Sequence, residues 1–271
     1  MQKRNRKRNA LILLVLLLFA DIFGTAPFAG GQRVEAAGTY SIYIEGESNY
    51  DYAQAVLDKV NREREKAGAE ALVMNQELQK AAMRRAAELA IKYAHVRPNG
   101  KICFSASDLI YGENIAVGQT TPAMVMKAWM KSKGHRTNIL NEAYTAIGIG
   151  VFYHNKHYYW VQCFGYVDGE AYEKNGTEEK TYKISIKGKL NYRIAGKKSI
   201  TMKKGGTKAL ELKVTDFYQS KILAKSGKWS SSKPSVVTVS KSGKLKAKKK
   251  GTAVISCKLG NVTQKVTVKV K

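Results

Sequence analysis

From Tyr52 onward the apolar positions recur at helical spacing. Tyr52, Val56 and Val60, widened by Ala53 and Leu57, form one stripe of an amphipathic helix that Gly68 ends. A second stripe of Leu78, Ala82, Ala86, Leu89 and Tyr93 follows Asn75, an N-cap residue, with Glu77 in the favourable first turn. That pattern runs out at Pro98-Asn99-Gly100. Thr121 and Pro122 open a third helix as cap and first helical residue. Val125, Ala128, Trp129 and Ser132 share its face, and Gly134 is the expected C-terminal stop. Then the period changes to two. Ile147, Ile149, Val151 and Tyr153 alternate with Gly148, Gly150 and Phe152, and His157–Gly165 is a second run rich in Tyr, Trp, Val and Phe. Two adjacent strands turning at His154-Asn155-Lys156 are predicted. Gly148 and Gly150 leave one face of that sheet bare for close approach by a helix or a ligand. Helices first and strands after give an α+β sandwich.

Beyond residue 182 the two-residue period persists without helical stripes. Ile184 and Ile186 alternate near the start, and Val262, Val266, Val268 and Val270 alternate with Lys265, Thr267, Lys269 and Lys271 at the end. Ser199–Met202, Ala209–Val214, Val236–Val239 and Ala253–Cys257 are short β-like runs between turn residues Gly205-Gly206, Ser242-Gly243 and Gly251. This spacing predicts a second, all-β sandwich. Cys257 shares a face with Ala253 and Ile255 and is expected to be a buried thiol, and Trp229 to be core.

Charge divides the chain at the same place. Residues 39–180 are net neutral, whereas 181–271 carry net +22 of the whole chain's +26, with Glu211 and Asp216 as their only acids. The polar stretch Glu170–Lys180 reads as a linker. The expected organisation is a leader at 1–36, a linker at 37–49, a neutral domain at 50–169, a linker at 170–182 and a basic domain at 183–271. The leader reading rests on a basic head (Lys3, Arg4, Arg6, Lys7, Arg8), an apolar run over Ala10–Ala20 too short to span a bilayer, and a small-residue tail with cleavage after Ala36. Export follows, with the protein secreted or extracellular. The three cysteines, Cys103, Cys163 and Cys257, form neither a disulfide scaffold nor a C-x-x-C motif. Either one Cys103–Cys163 bridge or three packed thiols is compatible with them.

The candidate chemistry sits in the neutral domain. His95 follows the second helix, Glu113 is expected in a tight loop between Gly112 and Gly118, and His135 just past the third helix. A helix C-terminus favours imidazolium or a bound cation. Two imidazoles and a carboxylate suit a divalent metal such as zinc, or acid–base work. Their spacing alone is a weak signal, because no H-E-x-x-H is present.

A longer series of stretches resembles the CAP superfamily of cysteine-rich secretory, antigen-5 and pathogenesis-related proteins, in a bacterial form. They are Val60–Arg64, His95-x-Arg97-Pro98-x-Gly100, Gly112-Glu113-Asn114-Ile115-Ala116 and Trp129-Met130-x-Ser132-x-Gly134-His135-Arg136. Asn138-Ile139-Leu140, Ile147–Val151 and Tyr159-Trp160-x-Gln162-x-Phe164-Gly165 complete the series. The resemblance implies an α-β-α sandwich with a central cleft, lined in eukaryotic members by two His and two Glu that can bind a divalent cation. His95 and His135 match the histidines and Glu113 the first glutamate. Ser132 stands where the second glutamate would be. The implied ligand-binding cleft is His95, Glu113, Asn114, Ser132 and His135, with His95, His135 and Glu113 as candidate metal ligands and Glu113 as the candidate catalytic group. In the basic domain, Lys228-Trp229-Ser230-Ser231-Ser232-x-Pro234-x-Val236, Val239-Ser240-x-x-Gly243-x-Leu245-x-Ala247 and Gly251-x-Ala253-x-Ile255 resemble the group-2 bacterial Ig-like domain.

The expected function is a secreted, cell-wall-associated binding module. A small molecule, lipid, glycan or peptide, or a cation, would sit in the cleft. An anionic wall polymer such as a teichoic acid would be held by the Lys-rich domain. Export argues against nucleic acid as the polyanion. The alternatives are a metal-assisted hydrolase using a His–Glu–His site and a weaker Ser132–His135 nucleophilic pair, which no G-x-S-x-G elbow supports.

Overall fold

The computed structural model describes residues 38–167, 171–215 and 220–271. The expected leader lies outside the described residues. The first part of the chain runs β1 (Thr39–Asn49), α1 (Tyr50–Lys66), β2 (Val73–Met74), α2 (Gln76–Leu89), β3 (Gly112–Val117), α3 (Pro122–Lys131), α4 (Lys133–Ile139), β4 (Ala146–His154), β5 (His157–Gly165) and β6 (Thr177–Lys187). Each of the first three helices begins on a side-chain cap. Asn49 accepts from the Tyr52 amide, Asn75 Oδ1 from the amides of Glu77 and Leu78, and Thr121 Oγ1 from the Met124 amide. The β4–β5 turn is the two-residue Asn155-Lys156, both at positive φ (48° and 70°), the backbone a tight antiparallel hairpin requires.

These strands form one sheet in the order β3-β5-β4-β1-β6, with β2 alongside β4. Alternation sorts its side chains into two cores. Ile147, Ile149 and Val151 of β4, with Trp160 and Phe164 of β5, face α1 and α3 through Val56, Val60, Val125 and Trp129. Val161 and Cys163 of β5 turn the other way, onto Leu78, Ala82 and Ala86 of α2. Gly148 and Gly150 point to that second face. A Cβ at Gly148 would collide with the Leu78 backbone, and one at Gly150 with the Ala82 carbonyl. The bare stripe seats a helix, not a ligand. The result is an α-β-α sandwich in an α+β chain.

The two stretches expected as linkers differ from that reading. Residues 39–49 and 177–187 are β1 and β6, paired antiparallel over eleven residues from Thr39↔Lys187 to Asn49↔Thr177. Ile42, Ile44, Ile184 and Ile186 are buried along this ribbon. Of its charged positions, Glu45, Glu47, Glu179, Lys183 and Lys187 alternate with the buried ones, whereas Glu178 and Lys180 share the buried face at its half-buried end.

The remaining strands are β7 (Tyr192–Ile194), β8 (Ser199–Met202), β9 (Thr207–Ala209), β10 (Leu212–Val214), β11 (Lys221–Ile222), β12 (Lys228–Ser231), β13 (Val237–Val239), β14 (Lys244–Ala247), β15 (Gly251–Leu259) and β16 (Val262–Val270). They form three sheets, β11-β10-β7, β12-β15-β16-β8 and β13-β14-β9, around a core that includes Leu245, Ile255, Val268 and Val270. The run Ala209–Val214, expected as one strand, divides between two sheets. Cys257 is fully buried, and Trp229 is partly buried with its indole N–H donating to Ala224 O at 2.8 Å. Among the described residues all three cysteines are free and buried.

Candidate functional site

β3 is the edge strand of the large sheet, and its alternation decides which groups meet. Ile115 packs in the core beside α2, and Ala116 in the core beside α3. Glu113, two residues from Ile115, therefore turns toward α2, and Asn114 toward α3 and α4. Glu113 is thus a buried strand residue and not the tip of a loop. Sequence reading took the flanking glycines as turn residues, but Gly112 is inside the strand, where a Cβ would strike the Tyr144 hydroxyl.

The Glu113 carboxylate is fully engaged. Arg85 donates to it twice, Nε to Oε1 at 2.7 Å and Nη2 to Oε2 at 3.2 Å, and His95 Nδ1 lies 2.8 Å from Oε2. Arg85 Nη1 donates to Glu88 Oε2 at 2.9 Å, and Glu88 in turn accepts from Arg97 Nη2 at 2.7 Å and Nε at 2.9 Å. Two arginines and two glutamates, all buried, make a neutral quartet in which every charge has an opposite partner, the condition for tolerating ions in a core. Burial alone would lower the Arg85 pKa. The bonds and charges of Glu113 and Glu88 outweigh it and raise the pKa further.

His95 is the exposed end of this chain, with 53% of its side chain accessible. With Nδ1 engaged by Glu113, Nε2 is the ring nitrogen left for another partner, the arrangement by which a carboxylate orients a ligating imidazole. Cys103, whose amide donates to His95 O at 2.8 Å, stands on the same side. The ligand atoms of His95, Cys103 and Glu113 lie within 4.8 Å of one another. Burial, with the Glu113 charge added, pushes the Cys103 thiol up to about 12. Ligation of a metal by Cys103 would therefore have to release the thiol proton.

His135 is not at a helix C-terminus. Ser132 takes an extended conformation (φ −83°, ψ 123°) that ends α3 and restarts the chain as α4, so Gly134 and His135 lie in its first turn. Its pKa is lowered by burial and then by the His95 charge, the reverse of the expected imidazolium. The ligand atoms that the structure gathers within 4.8 Å are those of His95, Cys103 and Glu113, and His135 is not among them. Asn114, expected to line a cleft, is instead fully buried. Its amide donates to Gln162 Oε1 at 2.9 Å and His135 O at 3.1 Å, and its Oδ1 accepts from Asn138 at 2.9 Å, which fixes α4 to the sheet. Ser132 caps α4 without a side-chain hydrogen bond, and nothing pairs its hydroxyl with His135.

Sequence reasoning gave no role to Arg85 or Glu88, placed Arg97 only within a matching stretch, and read Cys103 only as half of a bridge or a packed thiol. One signal was present: Arg85 falls seven residues after Leu78 and three after Ala82, on the apolar stripe itself, where a charge must be buried and paired.

Among the described residues no helix is long and apolar enough to cross a membrane. Residues 57–164 match the cysteine-rich secretory protein (CAP) family, and residues 228–271 match the bacterial Ig-like domain. The uncharacterized protein YkwD of Bacillus subtilis is 38% identical over 121 residues, 42% of this chain and 46% of YkwD. The chain therefore aligns with less than half of that relative. An extracellular protein containing an SCP domain from Bacillus anthracis shares 24% identity, over 41% of this chain and 40% of its own, with a TM-score of 0.36. An outer surface protein of Borrelia burgdorferi shares 17%, over 45% of this chain and 99% of its own, with a TM-score of 0.39. Likeness at these scores carries no weight about function. Sequence match and sandwich together make residues 57–164 a CAP domain, followed at 228–271 by a bacterial Ig-like domain.

Proposed function

We propose that this protein is an exported binding module: the CAP domain offers the His95–His135 imidazole pair to a divalent cation or a ligand, and the basic domain holds it against an anionic cell-wall polymer. The observation that carries the first half is the occupancy of Glu113. With both oxygens bound by Arg85 and one also by His95, the carboxylate is not free to take a proton from water or to ligate. What remains open is His95 Nε2 and the His135 ring. Imidazole nitrogens are donors that a borderline cation such as zinc takes, so His95 and His135 would hold it with solvent or a ligand completing the shell, and Glu113 would be the carboxylate behind the first histidine. Bound there, the cation would supply Lewis acidity toward a ligand oxygen. The residues of this chain would bind it, orient His95, and hold His135 in place through Asn114. The hydrolase reading needs a general base that Glu113 does not provide. Attachment through the basic domain is supported by net +22 on residues 181–271, a field that concentrates polyanions.

Calorimetric titration of the full chain with zinc tests the site. One equivalent is expected to bind the wild type and to be lost in both His95→Ala and His135→Ala. Undiminished binding in either variant would show that the pair is not the site.

A further inference from the structure

The reading of the basic domain as polyanion-binding leaves open where the polymer lies, and the register of one sheet addresses it. In β12-β15-β16-β8 the alternate residues Ile255, Cys257, Val266, Val268 and Val270 are buried. The intervening positions face outward. Four of them, Lys228, Lys258, Lys265 and Lys269, are exposed lysines, and the others within the strands are serine or threonine with a single valine. No acid is among them. Lys228 pairs directly with Lys258, a like-charge juxtaposition that costs stability in a sheet. The basic domain's one described acid, Glu211, is bound to Lys221 at 2.9 Å, and none of the four lysines has an ion-pair partner among the described residues.

The arrangement is a track. Lys228 and Lys258 are neighbours across two strands, about 5 Å apart by strand spacing. Lys258 pairs with Thr263, two residues before Lys265, and Lys269 lies four residues further along the same strand. At about 3.3 Å per residue the four ammonium groups cross the sheet diagonally over roughly 20 Å. Hydroxyls flank them as hydrogen-bond donors and acceptors. Single positive charges spread along such a line, on a sheet face without a pocket, complement single negative charges repeated along a chain. They do not complement one compact, multiply charged group.

We propose that the outward face of β12-β15-β16-β8 is the docking surface for a linear phosphodiester polymer, with Lys228, Lys258, Lys265 and Lys269 each meeting a phosphate. Unrepaid like-charge pairing on a strand face is what such a use would require.

The test uses the full chain and poly(glycerol phosphate) on a biosensor surface. The fourfold variant Lys228→Gln, Lys258→Gln, Lys265→Gln, Lys269→Gln is compared with a control of equal charge change, Lys203→Gln, Lys208→Gln, Lys241→Gln, Lys246→Gln. All eight positions are exposed, so neither variant is expected to lose stability, and the face variant, relieved of the Lys228–Lys258 repulsion, should melt at or slightly above wild type. Four phosphate contacts predict that wild-type affinity falls about 50-fold between 50 and 200 mM salt, taking a slope of about 0.7 per contact. The face variant should lose most of the low-salt affinity and nearly all of this salt dependence, and the control should stay within about 3-fold of wild type. Equal weakening of both variants, or of neither, would overturn the assignment while leaving polyanion binding intact. No binding by the wild type would overturn the underlying reading as well. Retention on anionic phosphatidylglycerol vesicles with the same lysine dependence, but not on the polymer, would replace the polymer with a membrane.

Discussion

Replacing Glu113 by glutamine separates a structural carboxylate from a ligand. The glutamine keeps the shape but presents one amide NH2 where Oε1 or Oε2 stood, and both oxygens now accept from donors: Arg85 Nε at 2.7 Å, and Arg85 Nη2 at 3.2 Å with His95 Nδ1 at 2.8 Å. One orientation or the other sets donor against donor. The quartet also changes from neutral to one net positive charge, because Glu88 alone must balance Arg85 and Arg97. Their side chains are at most 10% exposed, so water screens little of this imbalance. Removing one partner from a buried ion pair costs about 3–5 kcal/mol. At a urea slope of roughly 1.5–3 kcal/mol per molar, the unfolding midpoint should fall by about 1–3 M.

The stronger form of the test is a cycle. Arg85→Met leaves Glu113 with His95 alone and should be comparably destabilised. Combining Arg85→Met with Glu113→Leu removes both charges and leaves Glu88 and Arg97 as a balanced pair. The double variant should therefore be more stable than the sum of the single Arg85→Met and Glu113→Leu losses predicts, by about 2 kcal/mol or more. Urea unfolding followed by tryptophan fluorescence measures all four corners. Strict additivity, or a Glu113→Gln loss below about 1 kcal/mol with zinc binding abolished, would refute the reasoning and return Glu113 to the metal.

Gly150→Ala should lift α2 from the sheet, since its Cβ meets the Ala82 carbonyl. A cost of about 3 kcal/mol predicts a fall in melting temperature of roughly 6–12 °C, and a fall below about 2 °C would mean that the helix can shift freely. His154 joins the two parts of the chain as a neutral ring, Nδ1 on Glu45 O at 2.8 Å and Nε2 accepting from the Lys221 amide at 3.1 Å. Its pKa is lowered by burial, which prevails over the bond to Glu45, and the charges of Lys221 and His157 add to the lowering. The unfolded chain thus takes the proton before the folded one. Stability is fully present above the ordinary imidazole value of about 6.5 and is lost as pH falls below it, by up to about 1.4 kcal/mol per pH unit. The stability difference between wild type and His154→Gln should therefore shrink between pH 7 and pH 5 in urea titrations, and a constant difference would contradict it.

Much of the sandwich was legible because its signals are local. The caps at Asn75 and Thr121, the stripes of α1 and α2, and the β4–β5 hairpin each follow from a few neighbouring residues. The errors came where a local signal had a distant cause. The polar stretch that leads into β6 reads as a linker, residues 37–49 group as another, and only the mutual pairing of β1 and β6, about 130–150 residues apart in sequence, makes them strands. The glycines beside Glu113 and His135 imitate turn residues, yet Gly112 is small to admit Tyr144 and Gly134 lies within a helix. The partners of Glu113 were the least legible. Arg85 stands in an alanine-rich helix, and its meaning emerges only when β3 brings a carboxylate to the same side.

The β1–β6 ribbon changes what attachment to a surface would do. A flexible tether would let the imidazole pair explore the volume around its anchor. Here the anchor and the CAP domain share a core: Leu212, Val214, Ile222 and Leu259 pack in the same buried cluster as Ile42, Ile44 and Tyr182. Backbone bonds close the junction, with the Tyr43 amide donating to Ser226 Oγ at 2.9 Å and the Leu223 amide to Tyr43 O at 2.8 Å. A polymer bound across β12, β15, β16 and β8 would therefore hold His95 and His135 at one fixed standoff and orientation, favouring ligands that belong to the same surface over ligands diffusing past it. Cutting that rigidity takes a Gly-Ser insertion between Gly188 and Lys189, just after β6, together with Ile222→Ser to loosen the shared core, and should leave zinc affinity and polymer affinity each unchanged. Binding of a wall fragment that engages both sites should fall toward the weaker of the two, and a fragment affinity indifferent to these changes would show that the two parts act independently.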